Sequence, residues 1–146
     1  MPLSPADDRE KLLGIWKIVS VESEDQATGE REPVLGISLA GYLIFMPEGR
    51  MITIATGEDR KEAKTDQDRG DLFESMVAYT GMYRLEGDKF IANVDVAWNP
   101  AWVGTEQTRF FVLDGDRLHV TTAWEQSIAG REKGIGRKIV TWERVK

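Results

Sequence analysis

Between Ala92 and Arg109, Trp98 and Trp102 flank an Asn99-Pro100 turn, and a strand-like segment carrying Gln107 and Arg109 follows. Indoles at a turn between alternating strands suit a cavity mouth, where the ring covers a ligand and the N–H finds a polar partner. A guanidinium matches two carboxylate oxygens with its planar fork, so Arg109 beside Gln107 points to a ligand carboxylate. The alternative is a structural ion pair with Asp95 or Glu106. Trp98, Trp102 and Trp124 are candidates for an aromatic wall, or else for ordinary core and end packing. Tyr42, Tyr79 and Tyr83 offer hydroxyls that orient a carbonyl, or they pack as amphipathic rings.

Nucleophilic catalysis finds little material. The chain has no cysteine and one histidine, His119, which strand parity places on the outward face. A Ser-His or Cys-His pair therefore has no base inside. Chemistry would draw on Asp95, Glu106, Arg109 and tyrosines, a set suited to isomerisation, cyclisation or lyase steps on a small hydrophobic substrate. Asp66-x-Asp68 departs from a calcium loop, because Val77 stands where the twelfth-position glutamate belongs. Gly130 to Gly136 has no following helix to make it a phosphate loop, and reads as a flexible hairpin loop. No metal and no cofactor is expected.

The elements that position these residues are strands. Glu48-Gly49, Gly87-Asp88 and Gly115-Asp116 each separate runs rich in Val, Ile, Thr and aromatics, which is the hairpin signature. They predict strands at about 41–47 with 50–56, 79–86 with 89–98, and 105–114 with 117–126. Strands at about 14–22 and 137–145 open and close the chain, making eight in up-and-down order. Leu72, Phe73, Met76 and Val77 recur at helical spacing, and Asp71 with Glu74 reads as a capping box, so one short helix is expected near 66–78. Segments 57–64 and 23–33 read as exposed loops, and the helix after the first is placed to lid one end.

Pairing about Gly87-Asp88 sets Leu85 against Phe90, Tyr83 against Ala92 and Gly81 against Val94. That face is apolar, so Tyr83, Phe90, Val94, Val96 and Trp98 are expected inward. About Gly115-Asp116 the same operation sets Leu113 against Leu118, Phe111 against Val120, Arg109 against Thr122 and Gln107 against Trp124. The inward face thus turns polar away from the turn, and a buried Arg109 requires an anionic partner.

At 146 residues the chain fits one domain, 1–146, able to bury a core without staples. Its net charge of −6 and the absence of a basic stripe give a nucleic acid backbone nothing to hold. The N-terminus lacks a signal-peptide pattern and no apolar run reaches membrane-spanning length, so neither secretion nor membrane insertion is expected. A cysteine-free chain suits a reducing cytoplasm. Association into a homodimer is left open.

Leu13-Gly-Ile-Trp16 matches the Gly-x-Trp that opens the first strand of lipocalins, and Trp142-Glu-Arg144 is similar to their closing strand, whose Arg covers that Trp. Together with Gly41 to Met51, Ala78 to Tyr83 and Trp98 to Gln107, these residues make the chain resemble the bacterial and fungal lipocalin-like domain family, of calycin type. The resemblance implies an all-β fold, an eight-stranded antiparallel up-and-down barrel holding one small ligand. The first reading is then a barrel that binds a small hydrophobic or amphipathic molecule, with Arg109, Gln107, Tyr42, Tyr79, Tyr83, Trp98, Trp102, Thr122 and Trp124 as ligand-binding candidates. A cofactor-free isomerase, cyclase or lyase using the same cavity is the second. A packed barrel serving as a protein-interaction module is the third.

Overall fold

The computed structural model describes residues 5–34, 39–126 and 135–146. Helix α1 (Pro5–Leu12) precedes strands β1 (Gly14–Asp25), β2 (Arg31–Pro33), β3 (Ala40–Phe45) and β4 (Arg50–Thr56). After helix α2 (Asp66–Glu74) come β5 (Met76–Glu86) and β6 (Lys89–Ala97). A single 3-10 turn at Pro100–Trp102 leads to β7 (Glu106–Asp114), β8 (Arg117–Thr121), β9 (Glu125–Gln126) and β10 (Ile135–Arg144). Strand β1 pairs with both β3 and β10, which closes a ring in the order β1-β3-β4-β5-β6-β7-β8-β10, every neighbour antiparallel. The short β2 and β9 add to β1 and β10 at one end. The fold is thus the expected all-β, eight-stranded antiparallel barrel.

Alternation builds the core. Strand β4 buries Met51, Thr53 and Ala55 and exposes Ile52 and Ile54, as a strand with one face inward must. One end of the barrel is filled by Trp16, Phe45, Phe90, Phe111, Leu118 and Trp142, with Leu12 from α1 beneath them. Phe45 packs edge-on to Phe90 with ring centres 5.3 Å apart, and Arg144 lies 4.2 Å from the centre of the Trp16 ring. Further along, the inward positions are small: Gly41, Thr53, Ala55, Gly81, Ala92 and Val94. Side chains this short leave room for longer inward ones, among them Tyr79 beside Thr53. Gly81 has no alternative, since a Cβ there would stand 1.9 Å from the Asn93 carbonyl oxygen.

Several expectations need correction. The segment 23–33 is not a loop: β1 continues to Asp25 and turns into β2, its charged residues joined across strands by Glu24 with Arg137 at 2.7 Å and with Arg31 at 3.1 Å. Helix α2 starts at Asp66, where it was expected, and ends sooner, at Glu74. Its cap is Thr65, whose hydroxyl accepts from Asp68 N at 3.1 Å while the Asp68 carboxylate accepts from Thr65 N, so Asp71 with Glu74 is not the capping pair. Met76 and Val77 already belong to β5. Helix α1 was not foreseen, although Pro5 at its first position and Arg9 and Lys11 in its last turn suit the helix dipole. The expected loop at 130–136 lies largely outside the described residues.

Candidate functional site

Strand β7 sets the polar side chains. Arg109 pairs with Phe90 and Gln107 with Ala92, both of them buried, so Arg109 and Gln107 point into the barrel as parity required. Their geometry is fixed locally. The Gln107 amide donates to Thr105 Oγ1 at 2.8 Å and its oxygen accepts from Arg109 Nη2 at 3.3 Å, while Thr105 donates to the Trp102 carbonyl at 2.6 Å. Arg109 Nη1 donates to the Thr108 carbonyl at 2.9 Å. A guanidinium carries five N–H groups, and these two bonds with the one to the Tyr79 phenol leave two for another acceptor.

Neither expected ion pair forms. Asp95 accepts both terminal nitrogens of Arg50, at 3.0 and 2.9 Å, and Glu106 is taken by Arg84 at 2.9 Å, both on the outer surface. Among the described residues Arg109 has no carboxylate partner. The rings around it are aromatic. The Trp102 ring centre lies 5.9 Å from the guanidinium carbon, Tyr79 stands 5.2 Å from Trp102, and Trp98 is edge-on to Trp102 at 5.1 Å. The turn that carries both tryptophans is held by Asn99, whose side chain accepts from Ala101 N at 3.0 Å, with Pro100 at the first position. Trp98 Nε1 donates to the Phe73 carbonyl at 3.1 Å and the two rings tilt together at 5.9 Å, which ties α2 to the same end of the barrel.

A family model for the lipocalin-like domain matches residues 13–145. The chain belongs to the lipocalin-like domain family. No curated protein matches it. In this lipocalin-like barrel the sequence-predicted candidates divide. Arg109, Gln107, Tyr79, Trp102 and Trp98 come together at the end opposite the aromatic floor. Tyr83 is inward too, but its ring meets Phe45 at 5.0 Å with Arg9 of α1 5.7 Å above it, so it belongs to the floor.

Tyr42, Trp124 and Thr122 leave the group. Tyr42 pairs with Lys17 and Ile54 on the outer face and is 44% exposed. The ladder between β7 and β8 ends at Phe110 with Thr121, so the pairs Arg109–Thr122 and Gln107–Trp124 do not form. Thr122 instead bonds Lys138 through both N and Oγ1, and Trp124 lies under the Arg137 guanidinium at 4.2 Å. Val96 also faces out, 62% exposed, because a bulge between Thr80–Val96 and Gly81–Val94 shifts parity by one. His119 is outward as expected and shares a hydrogen bond with Thr141 at 3.2 Å. Thr105 and Phe73 were missed as site residues. Thr105 shares parity with Gln107 and Arg109, which was signal enough.

A cleft of about 800 Å3 lies elsewhere, between residues 58–64 and α2. Leu72 is its one apolar lining side chain, and Arg60 is engaged in capping α2 through the Leu72 carbonyl and Ser75. Ligand pockets combine apolar walls with a few convergent polar groups, and this cleft has charge of both signs on every side. The interior group around Arg109 is the better candidate. No helix among the described residues is long and apolar enough to cross a membrane.

Burial raises the Tyr79 phenol above its ordinary value, with the charge and hydrogen bond of Arg109 pulling back. Burial raises Tyr83 as well, against the charge of Arg9. The folded chain therefore keeps protons that the unfolded chain releases near pH 10, so stability is intact below about pH 10 and falls as pH rises past it. Thermal unfolding followed through the alkaline range should show this fall, and Tyr79→Phe should reduce it. A wild-type midpoint flat across that range would contradict the burial of both rings.

Proposed function

We propose that the barrel binds one small amphipathic molecule bearing a carboxylate, inserted head first so that the carboxylate meets Arg109. The observation that carries this reading is an inward guanidinium with free donors and no carboxylate partner among the described residues. A partly buried guanidinium among aromatic rings favours an anionic partner, and a bidentate carboxylate supplies both charge and geometry. Thr105 and Gln107 hold the fork in place beforehand, which lowers the ordering cost on binding. Below Arg109 the floor is packed with Phe45, Phe90 and Phe111, so the apolar part of the ligand extends toward Trp102, Trp98 and Phe73. The cysteine-free composition suits a cytoplasmic setting.

Catalysis is the second reading, favoured by Tyr79 beside Arg109. A phenol and a guanidinium at one carbonyl stabilise a developing oxyanion, as an isomerase, cyclase or lyase would need. A bound compound that changes its own structure on incubation, and ceases to with Tyr79→Phe, marks that case.

Indole emission tests the binding reading, because Trp98 and Trp102 lose water when an apolar group covers them. Titration with medium-chain fatty acids and aromatic carboxylic acids should change the fluorescence saturably, and their methyl esters should bind far more weakly. If no member of such a panel alters the emission, the interior is packed and the binding reading fails.

A further inference from the structure

Helix α2 is weak by its own sequence. It has nine residues, too few to stand alone in water, and none of its side chains is buried. Four acids against one arginine leave it with a net charge of −3, and its last turn holds Glu74 and no basic residue, where the helix dipole favours a cation. Gly70 stands in its middle with nothing within 4 Å of where a Cβ would be, so packing does not call for glycine there. Its effect is to make the helix easier to unwind, by about four- to fivefold relative to alanine.

The segment that carries α2 can open without breaking a strand pair. Gly57 N donates to the Ser75 carbonyl at 2.8 Å just beyond the last β4–β5 pair, Thr56 with Met76, so residues 57–75 leave the sheet and return to it at one point. At the rim α2 meets Trp98, through the ring of Phe73 and the bond to its carbonyl. The turn beneath that indole is firmly held: Gly104 N donates to the Val94 carbonyl at 2.8 Å, and Thr105 Oγ1 to the Trp102 carbonyl at 2.6 Å. A marginal helix thus rests on a rigid aromatic ledge, which continues through Trp102 to Arg109. Elements of low local stability are the ones that open for ligands. The helix charge acts in the same sense, because acids at the rim repel an incoming carboxylate until α2 moves away. Resting on the binding reading above, we propose that α2 is the gate of the barrel: it unwinds to admit and release the acid, and Phe73 on Trp98 is the contact that closes it.

Amide hydrogen exchange tests the opening with no ligand present. The α2 amides should exchange through local opening, far faster than those of β5 and β6. Gly70→Ala should slow them about four- to fivefold, and Arg60→Ala, which removes the bonds to the Leu72 carbonyl and Ser75 at the helix end, should speed them roughly three- to tenfold. Neither residue touches the group around Arg109. Stopped-flow indole fluorescence with decanoate then reads passage: association and dissociation rates should both fall in Gly70→Ala and both rise in Arg60→Ala by these same factors, leaving Kd as in the wild type. Helix amides that exchange only on global unfolding overturn the gate, and so do decanoate rates that ignore both variants while the exchange responds. If neither decanoate nor benzoate binds at all, the binding reading falls and the gate falls with it.

Discussion

Arg109→Met should leave the barrel as stable as before, within about 1 kcal/mol or about 2–4 °C in midpoint, while weakening anionic ligands by roughly 2–5 kcal/mol. Removing one half of a buried ion pair strands the other charge and costs several kcal/mol, but among the described residues Arg109 has no such half to strand. What the substitution removes is one bond to the Thr108 carbonyl, one to Gln107, one to the Tyr79 phenol and a guanidinium–indole contact with Trp102. Methionine fills much of the same volume without a desolvation cost, which offsets those losses. Urea unfolding and ligand titration on the single variant check both halves. A loss of 3 kcal/mol or more in stability with unchanged affinity for carboxylates would assign Arg109 to the scaffold.

Trp16→Ala should be among the most damaging single changes, at roughly 3–5 kcal/mol, because it empties the floor of the barrel. Trp16 is fully buried, donates from Nε1 to the Leu12 carbonyl at 2.9 Å, and supports the Arg144 guanidinium. Arg144 in turn donates to the carbonyls of Leu13 and Lys11, so the ring joins α1, β1 and β10. A domain of this size holds about 5–15 kcal/mol in all, which makes the loss a large share of its stability. Trp16→Phe, which keeps an aromatic ring, should cost much less. Denaturant unfolding of the two variants decides the point, and a difference from wild type below about 1 kcal/mol for Trp16→Ala would contradict the packing described.

Local chemistry made the barrel legible, and long-range pairing hid the rest. Gly49, Gly87 and Gly115 each adopt positive φ at the hairpin turns where their sequence context placed them. Parity counted outward from Gly87 held for Leu85–Phe90, Tyr83–Ala92 and Gly81–Val94. It failed one step later, at the bulge beside Asp95, which no neighbouring residue type announces. The count from Gly115 held to Phe111–Val120 and then failed because β8 leaves β7 after Thr121 and Thr122 turns to Lys138 on β10. The inward placement of Arg109 survived that failure, since the pairing with Phe90 on its other side imposes it. Trp124 was misplaced by that same failure, and Tyr42 for a different reason: a ring with a polar handle is at home on either face of a strand. Asp95 was offered to Arg109 because they are close in sequence, whereas Arg50, 45 residues away, is the neighbour across the sheet.

The most direct measurement follows the ionisation of a bound acid labelled at its carboxyl carbon, by NMR across a pH titration. If the head group sits at Arg109, the bound carboxylate should stay ionised well below the usual carboxylate range, and the Arg109→Met variant should lose this depression. A bound carboxyl that titrates as the free acid does, identically in both proteins, would place the head group in water and contradict the account.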